Sequence, residues 1–306
     1  MNKLKYLYLS AFATCLVGCQ DDLENQKMHD PEYAPVHFNL SFGKLGGVPD
    51  TRSLAPGYQY ADGSSISELK CYVYDKSRGN SAAPVSIVDI DIKEVNANKG
   101  GDVTVLLPKG EAYDVVFLGT SIPQMTASSK LYYNTTNRTL NINYSVISCN
   151  DEEIDCFYAS RENVTTETAF NHTIELTRPF AQINVGTQDY STYTSTSPIK
   201  DIAMSVDGVF SSVNLMSGEL VGNATKANFT ASAVPTGQTF PIAGYSYLSM
   251  CYVLVNQRKL VDVSLTVNHT SSSTAAMTIE IPGVAVERNY QTNIYGKNLL
   301  TEDIIL

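Results

Sequence analysis

Apolar and polar residues alternate along much of this chain with a period of two. That period is typical of a β-strand with one buried face. The segment 36–42 follows it strictly, and its apolar positions are Val36, Phe38, Leu40 and Phe42. The pattern predicts a strand that turns these four side chains toward a core together.

The same period recurs in many short segments, and few windows show the spacing of an amphipathic helix. A Pro-Lys-Gly turn at 108–110 joins two alternating segments, which predicts a strand, a turn and a strand. The segment 248–255 is apolar on both faces, which predicts a central strand. The other alternating segments are 69–73, 140–144, 181–185, 202–206, 261–267, 277–281 and 288–295.

Short strands separated by Gly, Pro and Asn turns are typical of β-sandwiches, so we predict an all-β fold. A length of 306 residues favours two sandwich domains. The expected join lies near residue 170, after a polar acidic stretch, which gives domains at 53–170 and 171–306. One continuous sandwich with long loops is the alternative. No repeat of fixed period is evident, which argues against a propeller or a solenoid.

The first residues have the pattern of a secretion signal. Two lysines, Lys3 and Lys5, precede an apolar run that ends in Leu-Val-Gly-Cys at 16–19. The cysteine at the expected cleavage point predicts a lipoprotein signal over 1–18, with Cys19 as the acylated first residue of the mature protein. The run is shorter than the ~20 apolar residues that a spanning helix needs. An ordinary secretory signal with a chance cysteine is the alternative.

Residues directly after Cys19 indicate where the protein is sent. Gln20, Asp21 and Asp22 resemble the short acidic export signal of surface lipoproteins in Bacteroides-type bacteria. This resemblance implies an outer-membrane lipoprotein that faces outward from the cell. A solvated acidic linker is the alternative. The polar stretch that follows resembles a tether, so we assign 19–52 to a tether and the first strand.

Composition excludes some partners. The net charge is −10, and removal of the signal with its two lysines takes it to −12. An acidic chain without basic clusters is repelled by phosphates, so nucleic acid is not an expected partner. Tyrosines number 19 against 10 phenylalanines and no tryptophan, a mixture that suits strands better than helices.

Four cysteines remain once Cys15 and Cys19 are set aside, and none forms a Cys-x-x-Cys pair. Cys149 and Cys156 flank an acidic loop, and a disulfide between them would staple it. Cys71 and Cys251 lie in apolar strands, where small buried side chains are expected. The sequence does not determine which of these four cysteines pair with one another.

No motif for catalysis is present. The chain lacks a Gly-x-Ser-x-Gly elbow and the glycine patterns of nucleotide-binding loops. No His, Cys or Asp stands at metal-ligand spacing from one of the four histidines. Paired carboxylates lie in polar segments, where solvation explains them. We therefore predict neither catalytic residues, nor a metal, nor a cofactor.

Three segments resemble fimbrillin-like proteins of the Bacteroidetes. The segment 178–185, Arg-Pro-Phe-Ala-Gln-Ile-Asn-Val, resembles the opening of their second domain. The segment 288–296, followed by Leu-Leu-Thr at 299–301, resembles their closing strand. Together with the lipoprotein signal and the segment 58–75, these segments stand in the order of the family.

The resemblance implies two transthyretin-like β-sandwich domains and a role in type V pili or related surface structures. In that family a protease cuts after an arginine and removes the lipidated segment with its first strand. The vacated groove then accepts a strand from another subunit. Here Arg52 follows a Gly- and Pro-containing segment expected to be an exposed loop, so we predict a cut between Arg52 and Ser53. A permanent first strand with an uncut Arg52 is the alternative.

Shaft subunits of the family carry a C-terminal extension that serves as the donated strand, whereas this chain ends soon after Leu300. The expected role is therefore a tip or accessory subunit, structural or adhesive, with other pilus subunits and a host protein or glycan as partners. A glycan-binding surface lipoprotein of a polysaccharide-uptake system is the alternative, since 19 tyrosines could supply sugar platforms. A surface hydrolase without a recognisable motif is a third and weaker hypothesis.

Overall fold

The computed structural model describes residues 32–42, 66–92, 101–122, 125–166 and 171–301. These ranges are built from strands, and the helix α1 (Tyr190–Thr196) lies among them. Within them, no helix is long and apolar enough to cross a lipid bilayer. The strands are β1 (Tyr33–Phe42), β2 (Glu68–Asp75), β3 (Ser86–Ile90), β4 (Gly101–Pro108), β5 (Ala112–Thr120), β6 (Leu131–Asn134), β7 (Thr139–Ile142), β8 (Cys156–Thr165), β9 (Asn171–Leu176), β10 (Phe180–Thr187), β11 (Ile199–Val209), β12 (Ser212–Asn214), β13 (Thr225–Ser232), β14 (Ser246–Leu254), β15 (Lys259–His269), β16 (Met277–Val286) and β17 (Gln291–Gly296).

Two sheets that face each other form the first sandwich. Their strand orders are β4-β1-β9 and β3-β2-β5-β8. The inward side chains of both sheets form one buried cluster, in which Phe38 of β1 meets Phe117 of β5 edge to face at 5.1 Å between ring centroids. Burial of this apolar surface holds the two sheets together.

The predicted strand, turn and strand at 103–117 is present, but the turn has an unexpected role. β4 pairs with β1, whereas β5 pairs with β2 and β8. The turn at 109–110 therefore carries the chain from one sheet of the first sandwich to the other. A period of two specifies which side chains face inward but not which strand lies beside them.

The second sandwich has the strand orders β14-β10-β17 and β13-β11-β15-β16. Between its sheets the Cys251 thiol lies 3.2 Å from the Met204 sulfur, in a large buried apolar cluster. The predicted strand at 261–267 is β15, which shows the expected alternation of buried and more exposed positions.

A third sheet, β12-β7-β6, covers the outer face of β2 and β5. Tyr133 of β6 packs edge to face on Tyr72 at 4.8 Å, and its hydroxyl shares a hydrogen bond of 2.8 Å with that of Tyr74. The sheet β3-β2-β5-β8 is therefore buried on both faces at its centre. This accounts for β5, whose residues from Tyr113 to Thr120 are all buried.

The prediction of a central strand at 248–255 is wrong in position. β14 is apolar and buried throughout its interior, as expected, but it lies at the edge of its sheet, with β10 in the centre. Its outer edge is covered by chain rather than by a strand. Met250 N donates to the Asn150 side-chain oxygen at 2.8 Å, and Asn150 N donates to Met250 O at 2.9 Å. Leu254 N donates to the Tyr144 hydroxyl at 2.9 Å. Such cover protects an edge from pairing with other chains.

The acidic stretch before residue 170 contains a strand. β8 starts at Cys156 and pairs with β5, so part of this stretch belongs to the first sandwich. β9 then pairs with β1 in the same sandwich before the chain enters β10. A division of the chain into domains at 53–170 and 171–306 stays a prediction.

The tyrosines between the sheets predict a loss of stability at alkaline pH. Burial raises the pKa values of Tyr72 and Tyr74 to about 12, from an ordinary value near 10. The unfolded chain therefore releases these protons first, and the free energy of unfolding is expected to fall as pH rises from about 10 to about 12. Urea titrations across this range measure the fall. Tyr72→Phe should reduce this fall in the free energy of unfolding. Tyr295→Phe, the same change at an exposed tyrosine, should leave the fall unchanged.

Candidate functional site

β1 occupies the middle of its sheet, between two strands that come from distant parts of the chain. It runs antiparallel to β4, with Val36 opposite Val105, and parallel to β9, with Leu40 opposite Ile174. We call the space that β1 fills the β1 groove. Its walls are β4 and β9, and its floor is formed by β5 and β8 of the facing sheet.

The predicted inward face of β1 is the face that the structure buries. Exposed fractions are 3% for Val36, 0% for Phe38 and Leu40, and 5% for Phe42. Phe42 packs edge to face on Phe157 of β8, with ring centroids 5.1 Å apart. The two phenylalanines of β1 therefore insert against two different aromatic rings of the floor, which fixes the register of the strand.

The outward face of β1 is polar and held by cross-strand hydrogen bonds. The Asn39 amide donates to Asp102 Oδ1 at 2.9 Å, and His37 Nδ1 shares a hydrogen bond of 3.0 Å with the Thr104 hydroxyl. Both pairs are exposed, where such bonds contribute little net stability. The side chains that bind β1 in its groove are the inward ones.

A buried ion pair lies under the far end of the groove. Arg178 follows β9, and its guanidinium donates to both oxygens of Asp155, at 2.6 and 2.7 Å. The same guanidinium lies over the Phe157 ring, 4.2 Å from its centroid, and Phe42 of β1 contacts this ring as well. Burial by itself would lower the pKa of Arg178, but the Asp155 carboxylate raises it, so the guanidinium stays charged.

Arg178 belongs to the segment 178–185, but its partner could not be predicted from the sequence. Asp155 stands among several acidic residues that look solvated, and only the structure distinguishes it as fully buried. The Arg178 backbone N–H also donates to Asn289 Oδ1 at 3.2 Å, just before β17. This residue therefore joins the floor of the β1 groove to the segment that leads into the second sandwich.

Several predicted site residues lie outside the described residues. They are the lipidation site Cys19, the export-signal residues Gln20, Asp21 and Asp22, and the cleavage-site residues Arg52 and Ser53. These assignments stay predictions.

The disulfide considered between Cys149 and Cys156 does not form in the structure. Both residues are described, and both are buried free thiols. Their backbones bond to different parts of the fold, since Cys149 N donates to Thr230 O and Cys156 pairs with Thr120 of β5. The loop between them is held instead by Lys130, whose ammonium pairs with Asp151 and Glu153 at 2.7 and 2.9 Å.

Groups able to hold a metal are absent from the described ranges, where no three His, Cys, Asp or Glu side chains converge. The groove itself contains apolar side chains and main-chain hydrogen bonds. This arrangement can bind an extended peptide segment.

Comparison with known proteins places the chain in a family. The model of a family of unknown function, DUF6562, matches residues 32–305. The chain belongs to the DUF6562 family. The match begins one residue before β1, so this family model includes the strand that fills the groove. None of the curated proteins matches the chain.

One solved structure shares the fold of this DUF6562 chain at low identity, and two others resemble it more distantly. A DUF1812 structure from Bacteroides thetaiotaomicron, described as a candidate polysaccharide-binding protein, is 14% identical with a TM-score of 0.50, covering 85% of this chain and 90% of that one. A candidate adhesin from Bacteroides ovatus is 10% identical with a TM-score of 0.49, over 80% and 77%. A fimbrial assembly protein from Parabacteroides distasonis is 14% identical with a TM-score of 0.47, over 89% and 94%. The all-β fold expected from the sequence is confirmed.

Proposed function

We propose that this protein is a non-catalytic surface subunit of a fimbrillin-like pilus, of tip or accessory type, that assembles by strand exchange. It is exported as an outer-membrane lipoprotein anchored through Cys19. A protease cuts between Arg52 and Ser53, β1 leaves with the anchor, and a strand of another subunit takes its place. The names of the Bacteroides and Parabacteroides structures, which include adhesins and a fimbrial assembly protein, agree with this role.

The observation that carries the proposal is the central position of β1. If β1 leaves, the facing edges of β4 and β9 each lose a line of hydrogen-bonding partners. Neighbouring strands lie about 4.8 Å apart, so the vacated gap is about two such spacings wide and accepts one strand. The incoming strand must run antiparallel to β4 and parallel to β9. It must also present apolar side chains at alternate positions.

The energetics favour a filled groove. Four apolar side chains of β1 are almost fully buried, and each contributes about 1.5–3 kcal/mol relative to exposure. The ordering of a free strand opposes this gain, at about 1–2 kcal/mol per residue. A donor that is tethered in a neighbouring subunit and already extended loses less entropy than a free peptide. An empty groove would therefore be filled by another subunit rather than stay open.

The start of the mature chain tests the cleavage. Mass spectrometry of protein in surface filaments is expected to find a chain that starts at Ser53, and an Arg52→Ala variant is expected to keep its start at Cys19. The same variant should be missing from filaments while it remains in the membrane fraction. If all cell-associated wild-type protein starts at an intact lipidated Cys19, assembly by release of β1 is wrong.

Peptide exchange tests the groove directly. Full-length protein cleaved at Arg52 is incubated with a labelled peptide of the sequence 33–42, and uptake of the label is measured after removal of free peptide. We expect uptake by cleaved protein and none by the Arg52→Ala variant, in which β1 stays tethered. A control peptide with serine at positions 36, 38, 40 and 42 is expected not to bind. Equal uptake of both peptides would contradict recognition by the β1 groove.

A glycan-binding lipoprotein of a polysaccharide-uptake system is the second candidate. It requires a ligand site and a permanent anchor instead of an exchangeable strand. Saturable glycan binding, together with a Cys19 start in every cell-associated molecule, would favour it over a pilus subunit.

A further inference from the structure

A cleft of about 370 Å³ opens beside the third sheet, on residues that belong to neither wall nor floor of the β1 groove. Its volume lies within the range of small-molecule sites, about 300–1,000 Å³. The polar and aromatic residues of its lining are Ser129, Tyr132, Asn141, Asn143, Tyr144 and Ser211.

The sheet holds one wall of this cleft in a fixed position. Tyr132 of β6 and Ser212 of β12 stand opposite Asn141 of β7, on either side of it. The Asn141 amide donates to Tyr132 O at 3.3 Å and to Thr139 O at 3.2 Å, and its Oδ1 accepts from the Ser212 hydroxyl at 2.6 Å. All polar atoms of this amide are therefore used within the protein, and Tyr132 is presented from a rigid element.

Two donors at the cleft have no partner among the residues that the structure describes. The Tyr132 hydroxyl makes no hydrogen bond there, and its side chain is half-buried. Asn143 Oδ1 accepts from the backbone and the hydroxyl of Ser145, at 3.3 and 2.6 Å, which orients its amide. Asn143 Nδ2 is then left for a ligand. Both groups can donate to a hydroxyl oxygen.

The lining contains no charged side chain, although the protein as a whole is acidic. Phosphates, sulfates and charged peptides would therefore find no counter-charge in the cleft. A half-buried tyrosine ring next to amide and hydroxyl groups suits a ligand that has apolar C–H faces and many neutral hydroxyls. Tyrosine supplies rigid amphipathic contact area, and Asn and Ser supply adaptable hydrogen bonds.

We propose that this cleft binds an uncharged saccharide, with a sugar ring against Tyr132 and sugar hydroxyls accepting from Tyr132 and Asn143. This adds a ligand class to the adhesive part of the proposed function. It does not depend on release of β1, since the lining residues lie between 127 and 211 and outside β4 and β9.

Binding is measured with the full-length mature protein on an array of oligosaccharides, followed by titration of those that bind. The neutral members contain glucose, galactose, mannose or N-acetylglucosamine, and the charged members are sialylated or sulfated. We expect saturable binding to neutral members. Tyr132→Ala should weaken it about tenfold or more, which is the effect of losing a central aromatic contact.

Two milder variants separate a ligand contact from a folding defect. Tyr132→Phe keeps the ring, and Asn143→Asp keeps the oxygen that Ser145 needs while it removes the amide donor. Each variant is expected to unfold at the wild-type temperature. Each should bind the oligosaccharide about three- to tenfold more weakly, because it loses one hydrogen bond to the ligand. Tyr295→Ala is the matched control, because Tyr295 is a 50% exposed tyrosine of β17 outside the cleft. It should bind like wild type.

The proposal is overturned by any of three results. These are no saturable binding to a neutral oligosaccharide, binding confined to charged ones, or wild-type affinity in folded Tyr132→Phe and Asn143→Asp. The first result would leave strand exchange intact, because the array does not measure uptake of a β1 peptide. Conversely, failure of that peptide to exchange would leave the saccharide site intact.

Discussion

Phe38→Ala is expected to lower the free energy of unfolding by about 3–5 kcal/mol. The Phe38 ring is fully buried and meets Phe117 across the first sandwich at 5.1 Å. Alanine would remove the ring from the centre of a strand that is paired on both sides. The backbone of β1 cannot move inward to fill the cavity without losing its bonds to β4 and β9. Urea unfolding of the full-length protein measures the change.

His37→Ala is the matched control, because His37 is the neighbouring residue of β1 and points outward. Its side chain hydrogen-bonds Thr104 at the exposed face, so we expect a change of no more than about 1 kcal/mol. A similar small effect for Phe38→Ala would mean that the inward side chains of β1 do not hold it in the groove. Strand exchange would then lose its driving force.

Arg178→Met is expected to cost about 3–5 kcal/mol of unfolding free energy, because it leaves the Asp155 carboxylate buried without its partner. The carboxylate is 0% exposed and accepts two hydrogen bonds from the guanidinium. Methionine keeps an unbranched apolar stem against the Phe157 ring, so the loss reports mainly on the charge. Urea unfolding at neutral pH, where the unpaired carboxylate would be ionised in the unfolded chain, measures it.

A double variant and an exposed pair serve as controls. Arg178→Met with Asp155→Leu removes both charges and is expected to recover much of the loss, because an apolar pair needs no desolvation of ions. Lys70→Met breaks the pair between Lys70 and Glu68, which is 3.0 Å long and partly exposed, and should cost no more than about 1 kcal/mol. If Arg178→Met costs no more than Lys70→Met, water reaches the Asp155 carboxylate.

Arg178 and the strand β1 both contact the ring of Phe157. Phe42 of β1, the Phe157 ring and the Arg178 guanidinium lie in contact in that order. If β1 leaves, the Phe157 ring loses its contact with Phe42, while Asp155 still holds the Arg178 guanidinium against it. In the proposed strand exchange, the pair would keep this part of the groove floor in place.

The strand pattern made a large part of the fold predictable. The alternation at 36–42 identified both the strand and its buried face, because a side chain's face depends only on its position within the strand. Which strands lie beside one another in a sheet was less predictable. The segments at 103–107 and 113–117 are neighbours in sequence, yet they belong to opposite sheets, and the apolar segment at 248–255 lies at a sheet edge.

Polar residues misled sequence reasoning where burial decides their role. Gln182 and Asn184 alternate with apolar residues in β10, a pattern that suggests an exposed polar face, but both are fully buried. They pair with Gln291 and Asn293 of β17, directly opposite them in the ladder. Cys149 and Cys156 are close in sequence, but their backbones bond to different parts of the fold.

The sequence by itself predicted that the chain folds from strands, and it identified the inward side chains of strictly alternating strands such as β1 and β15, since both follow from local periodicity. It also predicts a lipoprotein signal and a cleavage site at an arginine, which are read from short contiguous motifs and stay predictions. Only the tertiary structure decided that β1 lies between β4 and β9, that Arg178 meets Asp155, and that Tyr132 and Asn143 share a cleft. The strand partners of β1 and the partner of Arg178 come from other parts of the sequence, and which of many compatible strands pair is settled by the packing of the whole core.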